Sequence, residues 1–241
     1  MSKRIKFFIG HLSVSLLIAI ATAILIFLVW YPQPLAKAVG VTSLFVMLII
    51  IDVIIGPLLG LLVYKEGKNT LKFDLAVVIL TQLAAFTFGF YTIAQGRPLW
   101  IVASNYNFQL VKNNEINDQS IQYAAEAFKT RSWIGPQFVG IRTDLNHRSH
   151  VSTVQNGQGA WFNYPARYIS IDKVENRFKY AIQDLTMLEK FNSKEQVIST
   201  LKRYPQANAW MPLAAPVMNM TILVNKDTAE IVKIVDLRPW K

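Results

Sequence analysis

The sequence predicts a membrane protein: a three-helix transmembrane bundle followed by a small α+β extracytoplasmic domain. Three observations carry this expectation. Apolar runs at 7–31, 39–64 and 75–94 fill the first 96 residues. Each reaches about 20 residues, the length an α-helix needs to cross a hydrocarbon core of roughly 30 Å. Beyond Arg97 the composition becomes that of an ordinary soluble domain. The short flanks are also charged unevenly. Lys3, Arg4 and Lys6 precede the first run, Lys65, Lys68 and Lys72 separate the second from the third, and only Lys37 lies between the first and second.

Lys and Arg accumulate on the cytoplasmic side of a membrane. The N-terminus and the 65–72 loop are therefore expected inside, with the Lys37 loop and residues 97–241 outside. Trp30, Tyr31, Tyr91 and Trp100 fall near outer ends and Tyr64 near an inner end, as interfacial aromatics do. The first run is expected to remain as a span. It is too long for a typical signal-peptide core and leads directly into a second span.

Polar groups within spans are costly and point to function or to packing. Asp52 lies mid-span in the second run, roughly 18 Å from Tyr64 at the helical rise. Gln82 lies roughly 12 Å from Asp74 by the same rise, so the two can meet across a helix interface. His11 is a weaker partner for Asp52. Two roles stay open for Asp52: fixing the bundle, or touching a ligand. Gly56 and Gly60 form a small-xxx-small face that lets another helix, internal or foreign, approach closely. Pro57 between them removes a backbone donor.

In the outer domain, 101–103 and 108–111 read as short strands. Residues 118–131 read as a helix, with Ile121, Ala124, Ala125 and Phe128 at helical spacing. Residues 137–142 read as a strand, 144–159 as a polar Gly/Asn/Ser-rich loop, and 172–185 as an amphipathic helix. Ser193-Lys-Glu-Gln196 is a capping-box pattern that opens a helix to about Tyr204. Residues 217–224 and 231–237 read as a terminal hairpin. Asn219-Met-Thr221 matches a sequon but falls in that predicted strand and is set aside.

Charge and composition restrict the function. The chain carries formal charge +10, and from Arg97 onward 18 Lys and Arg stand against 12 Asp and Glu. The excess is dispersed and the topology places it outside the cytoplasm. It argues against nucleic acid and leaves anionic lipid headgroups, an acidic protein surface, or a solvated face with no partner. There are no cysteines, so a Cys-type zinc site is excluded. The expected cytoplasmic portion is too small for a nucleotide site. No cofactor or metal is expected, and no catalytic set is recognisable: there is no G-x-S-x-G elbow and no H-E-x-x-H. His147 and His150 fall in the polar loop without a carboxylate at telling spacing.

Several blocks together resemble the TfpX/TfpZ-type type IV pilin accessory proteins of Gram-negative bacteria. They are Asp52-Val-Ile-Ile-Gly-Pro57, Leu71-Lys-Phe-Asp-Leu75 with Gln82, Gly89-Phe-Tyr-Thr-Ile-Ala-Gln-Gly-Arg-Pro98, Trp133-Ile-Gly-Pro136 and Leu237-Arg-Pro-Trp240. Their order spans nearly the whole chain. Tyr106-Asn-Phe108 stands where the family pattern carries an Asp-Arg-Phe-like turn.

The resemblance implies an inner-membrane accessory or chaperone protein, not an enzyme, with its second domain in the periplasm. It would bind and stabilise a cognate type IV pilin before or during pilus assembly. The spans would contact the pilin's apolar N-terminal helix and membrane lipid, and the outer domain its head. Asp52, Gly56, Pro57, Gly60 and Gln82 are the candidate partner-binding residues; oligomeric state is open. Two alternatives stand beside this one. One is a membrane enzyme modifying a periplasmic glycan or lipid, with Arg97 or the 147–150 histidines at its centre. The other is a structural subunit of a secretion machine.

Overall fold

The computed structural model describes residues 1–142, 161–174 and 181–240. Three helices are long and apolar enough to cross a membrane by length and composition: α1 (Lys3–Trp30), α3 (Val41–Val63) and α4 (Leu71–Gln95). A short helix α2 (Leu35–Val39) lies between α1 and α3. A small mixed-sheet domain follows.

Two of the long helices widen locally to i→i+5 winding, over Leu25–Trp30 and Ile50–Ile55. Proline explains both. Pro32 stands two residues beyond the last residue of α1, and Pro57 lacks a donor and crowds the carbonyl one turn before it. Wider winding keeps the nearby backbone satisfied. The amide of Gly56 reaches the carbonyl of Ile51, and that of Tyr31 reaches Ile26 at 2.7 Å.

Helix α3 is the middle helix and packs against both α1 and α4. The bundle is densest at the end where α1 stops, around Ile26, Trp30, Tyr31, Phe45, Leu48 and Ile93. There Phe27 meets Phe45 edge-on at 5.1 Å, and Trp30 meets Phe90 at 5.3 Å. Gly89 lets α4 close on Leu48, since a Cβ would stand 2.7 Å from Leu48 Cδ1. At the opposite end Arg4 Nε donates to the carbonyl of Leu61 (2.7 Å) and Phe7 meets Tyr64 at 5.5 Å.

The sheet runs β4-β3-β1-β2-β6-β7-β8, with β5 also paired to β6. The strands are β1 (Pro98–Ala103), β2 (Phe108–Lys112), β3 (Gln137–Ile141), β4 (Tyr168–Ile169), β5 (Gln183–Asp184), β6 (Ala209–Ala214), β7 (Met220–Asn225) and β8 (Glu230–Val235). Pairs β1–β3 and β2–β6 are parallel; the others are antiparallel. Strand alternation sends neighbouring residues to opposite faces. Ile101, Met211 and Ile222 join one core, which also takes in Leu35 and Ala38 of α2. Trp100 and Val102 enter a second core, and Trp210 and Leu223 a third, on the other face.

Segment 35–39 therefore belongs to the sheet's core although it lies between two long helices. Two amides, of Val217 and Met218, donate to the carbonyl of Ala38 at 3.0 and 3.1 Å. Lys37 Nζ pairs with Asp236 at 2.8 Å.

Strands β1, β2 and β3 and the β7–β8 hairpin match the sequence reading closely. Ser193 Oγ accepts the amide of Gln196 at 3.3 Å and opens α7 (Lys194–Leu201), which stops a turn before Tyr204. Two helices expected from periodicity differ. Residues 118–131 form two single turns, α5 (Asp118–Ile121) and α6 (Glu126–Lys129), broken where Ala125 becomes extended at ψ 151°. Tertiary bonds override the spacing there: Ser120 Oγ accepts the amide of Ala166, and Arg131 pairs with Asp118.

Residues 172–185 do not form one helix either. Ile171–Lys173 is a 3₁₀ turn, and Gln183–Asp184 pairs with β6, where the Trp210 indole donates to the carbonyl of Asp184 at 2.8 Å. The polar 144–159 loop, with His147 and His150, lies outside the described residues.

Candidate functional site

Asp52 sits on the i→i+5 segment of α3 and is 7% exposed. Both carboxylate oxygens lack a hydrogen-bond partner among the described residues. Gln82 of α4 does reach it, but at the main chain. Its Nε2 donates to the Asp52 carbonyl at 2.6 Å and approaches Ser15 Oγ at 3.4 Å. Gln82 Oε1 and His11 Nδ1 are likewise buried and unpartnered. An ionisable or amide group buried without a partner costs free energy, so these four atoms, on residues that line one cavity, mark a candidate site.

They line a cavity of about 490 Å³. Helix α3 forms its floor with Leu48 and Asp52. Helices α1 and α4 form its walls, contributing His11, Ser15, Gln82 and Phe86. The rim residues Val14, Ile18 and Leu83 are exposed. The cavity is therefore a trough that opens sideways between α1 and α4, apolar except for a few polar atoms near its floor.

The sequence grouped Asp52, Gly56, Pro57, Gly60 and Gln82. All five are near one another, in two different capacities. Asp52 and Gln82 line the trough. Gly56, Pro57 and Gly60 are buried and shape it. A Cβ on Gly56 would overlap the Gln82 amide, and one on Gly60 would stand 3.0 Å from Phe7 and 3.3 Å from His11. The small-xxx-small face is thus closed by the chain's own α4 and α1. Sequence reasoning missed Ser15, although His11 and Ser15 stand four apart on one face of α1.

A second cluster lies where the helices meet the sheet domain. Arg97 is 5% exposed; its Nη1 donates to the carbonyl of Ala94 at 2.7 Å. Its guanidinium lies 4.5 Å from the ring centroid of Trp133 and 5.9 Å from that of Trp30. Burial, and then the Arg131 charge, lower its pKa from the ordinary value. Beside it, Asn113 Nδ2 donates to Gln95 Oε1 (2.7 Å), and Arg131 Nη1 donates to Asn113 Oδ1 (3.0 Å). Arg97 is thus held against two indoles at the end of α4, close to the Tyr31 phenol, with its Nε buried and unpartnered among the described residues.

A family model described as fimbrial assembly protein FimB matches residues 1–40. The chain is similar to the fimbrial assembly protein of serogroup E1 from Dichelobacter nodosus, 26% identical over 92% of this chain and 94% of that one. It is 26% identical to the serogroup I protein of the same organism over the same shares. With the fimbrial assembly protein of serogroups C1 and C2 it shares 35% identity over 44% of this chain and 82% of that one. No solved structure matches.

Proposed function

The chain belongs to the fimbrial assembly protein family, and from that premise we propose that it is a membrane-embedded accessory protein for type IV pilus assembly. Within that family it stands with the TfpX/TfpZ-type pilin accessory proteins. Its three long helices span the bacterial inner membrane with the N-terminus in the cytoplasm, and the sheet domain lies in the periplasm. It holds a pilin subunit, whose apolar N-terminal helix shares the bilayer and whose head shares the periplasm, before or during assembly.

The observation that carries this reading is the trough with Asp52 on its floor. Helices α1 and α4 flank α3 and meet each other at Trp30–Phe90 and through Gln82 and Ser15, while Val14, Ile18 and Leu83 stay exposed along the rim. A single apolar helix laid between them completes a four-helix arrangement and covers exposed Val14, Ile18 and Leu83. Asp52 supplies an acceptor for a donor on that helix, which the hydrocarbon would otherwise leave unmet. Gly56, Pro57 and Gly60 act indirectly, by keeping the trough's shape.

Photocrosslinking tests this reading. A crosslinking side chain in place of Val14 or Leu83, on the rim, should trap the pilin. One in place of Val77, exposed on the opposite side of α4, should not. Asp52→Leu should lower pilin level in part, since an intramembrane polar contact is worth only about 0.6–2 kcal/mol. Crosslinks from position 77 alone, with normal pilin level in Asp52→Leu, would rule out the trough as the binding site.

A further inference from the structure

We propose that the turn carrying Trp133 and Ile134 is an interfacial anchor, seating the sheet domain on the headgroup region of the outer leaflet. The proposal rests on the reading that α1, α3 and α4 span the bilayer. Its own basis lies in the geometry of the turn.

The turn is built onto the ends of the long helices. Gly135 adopts φ +56°, a conformation that suits glycine. A Cβ there would meet the carbonyl oxygen of Val29 at 3.4 Å and the Pro32 ring at 3.9 Å. The turn therefore lies against the last residues of α1. Trp133 meets Trp30 at 6.1 Å between ring centroids. The Arg97 guanidinium, fixed by its bond to the end of α4, lies over the Trp133 ring. Ser132 Oγ accepts the amide of Ile134 (3.0 Å) and donates to its carbonyl (3.1 Å). The turn is thus preformed and aimed.

What it presents is apolar. Trp133 is 64% exposed and Ile134 81%. The helix ends at that level are apolar too: Leu28 on α1 and Phe88 and Tyr91 on α4 are exposed within about two turns of them. The turn, held against Val29, Trp30 and Pro32, therefore lies at the level where the exposed apolar surface of the long helices ends. An indole with a dry face and a wet edge is favoured at that depth. A side chain such as Ile134, held rigidly at the same level, reaches the hydrocarbon boundary.

The chain has no cysteine, so single cysteines report cleanly. Full-length protein with Leu28→Cys, Ile134→Cys or Ile198→Cys is labelled with an environment-sensitive fluorophore. It is reconstituted in phosphatidylethanolamine–phosphatidylglycerol vesicles without any other protein. Ile198 is the reference: it is exposed on α7, which packs through Val197 on the sheet face away from α2. Positions 28 and 134 should show blue-shifted emission and lose intensity to lipids spin-labelled near the headgroup. Position 198 should be quenched only by aqueous iodide.

Position 134 behaving like 198 while 28 is quenched by lipid overturns the anchor alone. Absence of lipid quenching at 28 overturns the membrane reading and the anchor with it. Shielding of 134 that appears only when a pilin is added assigns the patch to a protein partner, and likewise overturns the lipid contact.

Discussion

At the scale of single residues, the site depends on where one amide points. Gln82 was singled out in the sequence as a polar residue at a depth that can meet Asp52. The partner proves to be the Asp52 main chain, leaving the carboxylate for something else. Composition and depth reveal that two polar residues can meet; they do not reveal which atoms do. Gly56 makes this arrangement possible because the Gln82 amide occupies the space a methyl would need. Gly56→Ala should displace that amide and break its bond, costing about 0.6–2 kcal/mol, the usual worth of such contacts. In a Gln82→Ala background the overlap is gone, so the same Gly56→Ala change should cost less. Thermal unfolding of the four proteins in detergent checks this. Additive Tm losses would mean that the two residues act independently.

At the scale of elements, the long helices were legible because length and apolarity are sufficient signals. Strand β6 was not. Pro212 within it argues against a strand. It is tolerated because one edge of β6 is shared by two short partners, β5 at Ala209 and Trp210 and β2 at Leu213 and Ala214. Pro212 falls between them. Two-residue strands such as β4 and β5 carry no periodicity, and only their partners define them. Helix α2 was read as part of a loop, since nothing local shows that Leu35 enters a core built more than 60 residues later.

That core contact, more than the visible ion pair, should hold α2 to the sheet. Lys37 and Asp236 are 54% and 39% exposed, and such pairs contribute about 0–1 kcal/mol. Leu35 is buried, and Leu→Ala in a core typically costs about 2–5 kcal/mol. Leu35→Ala should therefore lower the Tm and open the 32–40 segment to proteolysis, whereas Lys37→Ala should barely do either. The reverse ranking would make the ion pair the tether.

At the scale of the whole molecule, packing shows which segments share an end of the bundle, and the basic flanks alone propose which end is cytoplasmic. The bond from Arg4 to Leu61 and the Phe7–Tyr64 contact gather the two basic flanks at one end of the bundle. The bonds to Ala38 and Lys37 gather the sheet and the first connection at the other. With the basic end cytoplasmic, a reporter active only in the periplasm and fused after Lys241 should be active. Division of labour is the further question. If the trough grips any apolar helix while the sheet domain selects the pilin, exchanging the outer domain with that of a relative serving another pilin should switch the client. The shared core dictates how the exchange is made. Residues 97–241 alone would set a foreign sheet against the native Leu35 and Ala38 and strand the native partner of Asp236. A chimera carrying 32–40 together with 97–241 keeps that core intact. It should accumulate normally and stabilise the donor's pilin, while the 97–241 exchange alone should accumulate poorly. Selection that stays with the recipient's pilin in the stable chimera would assign the choice of client to α1, α3 and α4.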